Sequence, residues 1–503
     1  MAVAAALVAI GLVPVLSWGG NLDAAWYLYV AQRVLAGAHL YRDIIEINPP
    51  LIVALSIPPA WLAHALGVLD LTVYNLATAA LALAVVAFAA RLLTRLGEDG
   101  PGRAGPRRIL ILLCLAALFP MAAADFGQRE HLLLALVLPY LCLSAVRAEG
   151  RSASRAQAVS AGVMAAVGLA LKPFYLPLWA VVEAYLILGR RAGPPWRRAE
   201  TVTIAATLLA YGLAVVLCAP GYVTLAERLG PVYTALLRES PLRILATPDG
   251  VLPLLAALAM VATPTAAGWR GLRDVMVVAV LTSLAAVLLQ QKGWSYHYYP
   301  ARAESLVALG VALLSAAHAP IPRVRAAAAR LPALVLAAGL AVVLVQRGRE
   351  AWAEGEYERV VIRGELAPLV RRYAPGQAIL GLTVSPTPAF PLVNFTGARW
   401  ALRFPSLWMI PALHARGQWI APTPGGPARL GPEQRYLVTA VTDDFLAWRP
   451  ALLFQYAPPW GAPDLVGYFA AADPRFAAAL AAYHAIGVVG DYRFYARDSE
   501  VSR

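Results

Sequence analysis

Apolar runs of roughly 16–20 residues recur from the N-terminus to about residue 346, and in lipid a run of that length can satisfy its backbone only as a helix. About eleven such runs are legible: roughly 2–18, 71–95, 109–124, 131–146, 157–171, 174–189, 201–219, 250–265, 274–290, 303–317 and 331–346. The expected fold class is therefore a polytopic α-helical membrane protein. Composition agrees. Of 503 residues, 60% are hydrophobic and 14% charged, and the mean hydropathy is +0.63. Soluble domains carry about 25% charged residues, so a soluble enzyme and a disordered chain are both excluded. The first run lacks a basic flank and a small-residue cleavage site, and is read as a retained span.

The net charge is +13, and nearly all of it is arginine; the only lysines are Lys172 and Lys292. The basic residues are dispersed over short loops, which argues against a nucleic-acid surface and for membrane orientation. Arg91, Arg95, Arg103, Arg107 and Arg108 fall in one loop. Arg147, Arg151 and Arg155, then Arg190, Arg191, Arg197 and Arg198, then Arg270 and Arg273, then Arg323, Arg325 and Arg330 fall in others on the same side. The positive-inside rule makes that side cytoplasmic, with the N-terminus inside and everything after residue 346 outside. The three cysteines, Cys114, Cys142 and Cys218, lie within apolar runs and define no disulfide framework.

Two domains are expected: a transmembrane one over 1–346, with a long outer loop at 19–70, and an outer α/β domain over 347–503. The tail holds 16 arginines against 13 acidic residues and no spanning run. Its expected strands are Ala378–Val384, Tyr436–Val441 and Ile486–Tyr495, with helical pattern around Ala351–Tyr373 and Pro474–His484. Trp400, Phe404 and Trp408 are expected against the membrane or over a cavity, and Trp400, Arg403 and Trp408 are candidates to bind an acceptor.

Ionisable groups at membrane depth are costly and so mark function. Here they share the outer side. The first outer loop carries Asn21, Asp23, Trp26 and Tyr27, then Tyr41, Arg42, Asp43, Glu46, Asn48, Pro49 and Pro50. The second carries Asp125, Gln128, Arg129, Glu130 and His131. Later ones carry Lys172 with Pro173, and Lys292, Trp294, Tyr296, His297, Tyr298 and Tyr299. Carboxylates serve as bases or metal ligands, and Lys, Arg and His hold phosphates. Each has a plainer reading. Asp23, Glu130 and His131 can cap helices, Lys172 can snorkel, and the Tyr/Trp group fits an interfacial belt. Glu304 is expected to face the same cavity. Glu183 lies deeper, with no role assigned. His39, His64, His318, His414 and His484 are scattered and read as structural or solvated.

The ordered set Asp23-Trp26-Tyr27, Tyr41 to Pro50, Gly127 to His131 and Lys172-Pro173 resembles the membrane glycosyltransferases of the GT-C class over about residues 1–346. That class includes protein O-mannosyltransferases, aminoarabinose transferases acting on lipid A, and galacturonosyltransferases of the lipopolysaccharide core. The resemblance implies a polyprenyl-phosphate sugar donor and a glycan, glycolipid or protein acceptor in the periplasm of a bacterium, with the protein in the inner membrane. It implies Asp23 as the base of a single inverting displacement, Glu46 and Asn48 in the substrate-binding segment, and Asp125, Glu130 and His131 as metal or substrate ligands, with a divalent cation as a candidate cofactor. The chain departs from the class in having Ala24 where many members have a second acid, and Asn48 where many have a base. The phosphate then falls to Lys172, Lys292, Arg129 or His297. A lipid-linked transporter or flippase, and a glycan ligase using the 220–249 loop with Arg228, Arg238 and Arg243, are the alternatives.

Overall fold

The computed structural model describes residues 1–96, 104–189, 192–265, 268–318, 323–422 and 430–498. Arg103, Arg190 and Arg191 lie outside the described residues, as do the side chains of His318, Arg323, Arg325 and Arg330. All eleven apolar runs fall on helices, from Ala2–Trp18 and Asp70–Leu93 to Ser295–His318 and Arg323–Tyr357. Among the described residues, five helices are long and apolar enough by themselves to cross a membrane, including Arg129–Ala148, Ala199–Cys218 and Arg270–Gln290. Four more are apolar but shorter: Leu51–Leu66, Arg155–Leu171, Pro173–Leu188 and Pro248–Ala262. The chain is a multi-pass membrane protein.

The described chain divides into two compact units that do not follow chain order. The first comprises Met1–Asn21, Tyr74–Cys218 and Arg238–Ala353. Its centre is Arg129–Ala148, buried nearly all round, as expected for a helix wrapped by other helices. Close approach depends on small residues, as is usual in membrane bundles. A side chain at Gly162 would meet the Glu200 backbone oxygen at 2.7 Å. By contrast Ala199–Cys218 exposes Leu209, Leu213, Val216 and Leu217, the face such a helix presents to acyl chains.

The second unit comprises Leu22–Val73, Ala219–Leu237 and Glu354–Arg503. Its five-stranded sheet consists of β1 (Ala378–Leu382), β2 (Arg399–Trp400), β3 (Leu452–Tyr456), β4 (Tyr483–Val489) and β5 (Tyr492–Arg497), in the order β2-β1-β3-β5-β4. β1 pairs parallel with β2 and β3, and β5 pairs antiparallel with β3 and β4. The segment Tyr436–Val441, expected as a strand, lies inside the helix Pro432–Trp448. Proline at its first position, and a buried side that carries Gln434, Leu437, Val438, Ala440, Val441, Thr442, Asp444 and Phe445, favour a helix over the strand preference of six residues. The expected strand Ile486–Tyr495 is a hairpin, β4 turning into β5, and the helix expected to run to His484 ends at Leu480.

Trp400, Phe404 and Trp408 are buried, not spread on a membrane. Trp400 packs between Phe390 and Phe454 at ring separations of 5.6 and 6.4 Å and donates its indole N–H to the Phe404 carbonyl at 2.7 Å. Neither it nor Phe404 is open to an acceptor. The helix Leu22–Leu35 joins this core through Trp26, whose ring meets Phe390 edge-on at 5.0 Å, and through Tyr29, which accepts from the Trp400 N–H at 2.9 Å.

Candidate active site

In the first unit, three of the singled-out groups meet. Proline at 173 disfavours helical backbone at the residue before it. Lys172 accordingly leaves the helix Arg155–Leu171 in an extended conformation, φ −142°, ψ 83°. Its ammonium lies 2.6 Å from Glu130 Oε1 and 3.3 Å from His297 Nε2. His297 Nε2 is itself 3.6 Å from the same carboxylate oxygen. The hydroxyl of Tyr175 donates to the His297 carbonyl at 3.0 Å. Glu130 sits in the first turn of Arg129–Ala148, where the helix dipole favours an anion. All three side chains are buried, as are Arg129 and Lys292. Lys172 is therefore a buried ion-pair partner and does not snorkel. Burial, with the Arg238 guanidinium adding to it, brings the Lys292 ammonium down to about 8. Tyr298 and Tyr299, expected in an interfacial belt, are inside the protein.

Asp125 and His131 have different surroundings. Asp125 pairs with Arg302 at 2.8 Å and accepts from Ser295 Oγ at 3.1 Å. Arg302, fully buried, also pairs with Asp249 at 3.0 Å, and Asp249 lies 3.4 Å from Arg347. His131 accepts from the Gly127 N–H at 3.2 Å and donates to the Leu118 carbonyl at 2.9 Å, so it braces the loop before its helix. Gly127 has φ +80°, and a Cβ there would meet Tyr74 at 2.8 Å. Among the described residues no three His, Cys, Asp or Glu side chains gather as a metal shell. Asp125, Glu130 and His131 instead face Arg302, Lys172 and backbone groups respectively, and are not brought together as one ligand set.

In the second unit Asp23 stands half-buried in the first turn of Leu22–Leu35. One turn on, the same helix presents Trp26 and Tyr27. Trp26 Nε1 donates to Glu46 Oε2 at 2.5 Å. The backbone N–H and side-chain amide of Asn48 donate to Glu46 Oε1 at 2.8 and 2.6 Å, and that amide also reaches the Tyr27 hydroxyl at 3.3 Å. The Tyr41 hydroxyl in turn donates to the Asn48 carbonyl at 2.9 Å. Glu46, which is buried, and Asn48, which is half-buried, are thus one network with the helix that carries Asp23, and Glu46 holds the 41–48 segment in shape.

No protein-family model matches the sequence, and no curated protein sequence matches it. Similarity appears in three dimensions. The crystal structure of ArnT from Cupriavidus metallidurans bound to undecaprenyl phosphate aligns with 99% of this chain and 98% of its own, at a TM-score of 0.58 and 14% identity. The chain has the GT-C fold. The same ArnT in the apo state aligns with 98% of this chain and 97% of its own, at a TM-score of 0.55 and 13% identity. A cryo-EM structure of the arabinofuranosyltransferase AftD from Mycobacteria aligns with 99% of this chain but 40% of its own, at a TM-score of 0.47 and 18% identity.

Within this fold, sequence reasoning missed Arg302 and Asp249. Arg302 occupies an apolar helix, the signal that singled out its neighbours; its pairing with residues 177 and 53 positions away has no local trace. Glu183 gains a structural role. It accepts from Tyr140 at 2.7 Å and Thr201 at 3.0 Å and pairs with Arg198. Glu304, expected to face the same cavity as the outer-side groups, is buried and lines a small cavity of about 20 Å³ with Cys114, Leu138 and Met276.

Proposed function

We propose that the chain is an inverting glycosyltransferase that moves a sugar from a polyprenyl-phosphate donor to a hydroxyl of a glycan, glycolipid or protein acceptor. The observation that carries this reading is the buried Lys172, Glu130 and His297 cluster, with Arg129 and Lys292, in a chain with the fold of a protein whose structure holds undecaprenyl phosphate. Buried cations need an anion to justify their desolvation, and Lys172 is held by the Glu130 carboxylate at 2.6 Å beside His297.

In this reading Lys172, Arg129 and Lys292 hold the donor phosphate. The bond from the anomeric carbon to the phosphate oxygen breaks as the acceptor oxygen attacks from the opposite face. Negative charge grows on the departing oxygen and is met by these cations, so no acid is required. Asp23 takes the proton of the attacking hydroxyl. Glu46 and Asn48 shape the segment next to the helix that carries Asp23. No step passes through a metal. The arginines shared by one set of loops support a cytoplasmic N-terminus, and in a bacterial inner membrane the chemistry would then be periplasmic.

The test uses purified protein with a panel of polyprenyl-phosphate sugars and follows release of polyprenyl phosphate, the product every such donor yields. Asp23→Asn is expected to lower turnover by at least about 10², the usual worth of a general base, with lipid binding retained. Turnover near that of the unaltered protein would remove Asp23 from the role.

A further inference from the structure

The second unit contains a cationic pocket that includes Arg403, an expected acceptor contact, and Arg228 of the 220–249 loop, but none of the residues that the proposed mechanism uses. It has a volume of about 270 Å³ and is lined by Arg228, Arg403, Arg435, Tyr436, Thr439 and Asp443. Arg228 comes from the helix Pro220–Ala235 and Arg435 to Asp443 from Pro432–Trp448. Arg403 comes from the stretch after β2, and is fixed. Its backbone N–H and guanidinium both bind Asp444, at 2.9 and 2.7 Å. Arg228 lies over the Tyr436 ring at 4.2 Å, and Phe404 meets that ring edge-on at 6.0 Å. Asp443 is engaged by Arg475 at 3.0 Å. Among the described residues neither Arg228 nor Arg435 has a carboxylate partner. The pocket is therefore net positive, and Arg228 and Arg435 are exposed, with one Arg435 N–H donating to the Leu430 carbonyl at 3.0 Å.

Guanidinium forks bind phosphate and carboxylate oxygens in pairs. The Tyr436 and Thr439 hydroxyls add donors suited to a polyol, and the Asp443 carboxylate adds an acceptor. Burial raises the Tyr436 hydroxyl above its ordinary value, so it remains a neutral donor. We infer that this pocket binds an acidic sugar, one bearing a phosphate or carboxylate group, and selects the acceptor by that group. Only the word acceptor rests on the transferase reading; recognition of the anionic sugar stands on the pocket itself.

The experiment titrates the full-length protein in phosphatidylcholine nanodiscs with glucosamine 1-phosphate, glucosamine and inorganic phosphate, by calorimetry. The sugar phosphate is expected to bind, the neutral sugar not to bind detectably, and inorganic phosphate to bind more weakly. The double variant Arg228→Gln, Arg435→Gln is expected to weaken the sugar phosphate by at least about tenfold, the scale of one charge-assisted bond. Both side chains are exposed, so folding is preserved, and unaltered thermal unfolding is the check. Equal affinity in the variant, or equal affinity for glucosamine, would overturn the inference. Inorganic phosphate binding as tightly as the sugar phosphate would overturn the assignment to a sugar. Repeating the titration with phosphatidylglycerol in the nanodisc separates the sources of the anion. Unchanged affinity is expected, and competition by this lipid would overturn the proposal in favour of a headgroup site. Undecaprenyl phosphate binding by the same variant is expected to match the unaltered protein. If neither protein binds that lipid, the transferase reading fails while the pocket is still judged by glucosamine 1-phosphate.

Discussion

On the proposed reading, Glu130 and a lipid phosphate compete for one ammonium. At 2.6 Å from Lys172 Nζ, the Glu130 carboxylate occupies the charge a phosphate would use. Lys172→Ala is expected to weaken polyprenyl-phosphate affinity by about 10- to 100-fold, the worth of a charge-assisted hydrogen bond. Glu130→Gln removes the competitor and is expected to leave that affinity unchanged or raise it, as isothermal titration would read. A fall of equal size in both variants would mean that the pair is only structural. Lys292 adds a pH dependence. Its ammonium, at about 8, is charged below that pH and neutral above it, whereas a phosphate monoester is a dianion above roughly pH 6. Affinity should therefore be greatest between about pH 6 and 8 and fall as pH rises through 8. Lys292→Arg, always charged, is expected to abolish the alkaline fall.

At the scale of elements, two buried devices hold the loops that carry the site. Arg302 ties Asp125 and Asp249 and so fixes the segment before Arg129–Ala148. Arg302→Met would remove the shared cation from two buried carboxylates, leaving Asp249 to Arg347 and Asp125 to Ser295, and removing one partner from such a network costs about 3–5 kcal/mol. Thermal unfolding in detergent is expected to show the loss, and an unchanged midpoint would contradict it. Gly127→Ala is expected to cost about 1–3 kcal/mol from its positive φ, before the contact with Tyr74 is counted. The helices were legible in the sequence because lipid permits little else at that hydropathy. Lys172 was singled out by the cost of its charge and by the resemblance of Lys172-Pro173, and its extended geometry follows from Pro173. What stayed hidden was pairing across the chain. Arg302 reaches carboxylates in two other segments, and the three arginines of the second-unit pocket come from three stretches. No periodicity records such meetings. The mistaken strand at Tyr436–Val441 has a local cause: aromatic and β-branched residues in a short window outweighed the proline and acidic residue that open Pro432–Trp448.

For the whole molecule, the fold aligns almost end to end with that of ArnT at an identity too low to carry chemistry, so the account stands on whether the buried cations take a lipid phosphate. The direct measurement is thermal stabilisation of the purified protein by undecaprenyl phosphate, with undecaprenol as the control lacking the phosphate. Ligand at about 100 times its dissociation constant stabilises by about 2.7 kcal/mol, several degrees in the midpoint for a chain of moderate cooperative size. The account predicts stabilisation by the phosphate and not by the alcohol, reduced in Lys172→Ala. Equal response to both lipids, or to neither with the protein shown to be folded, would contradict it.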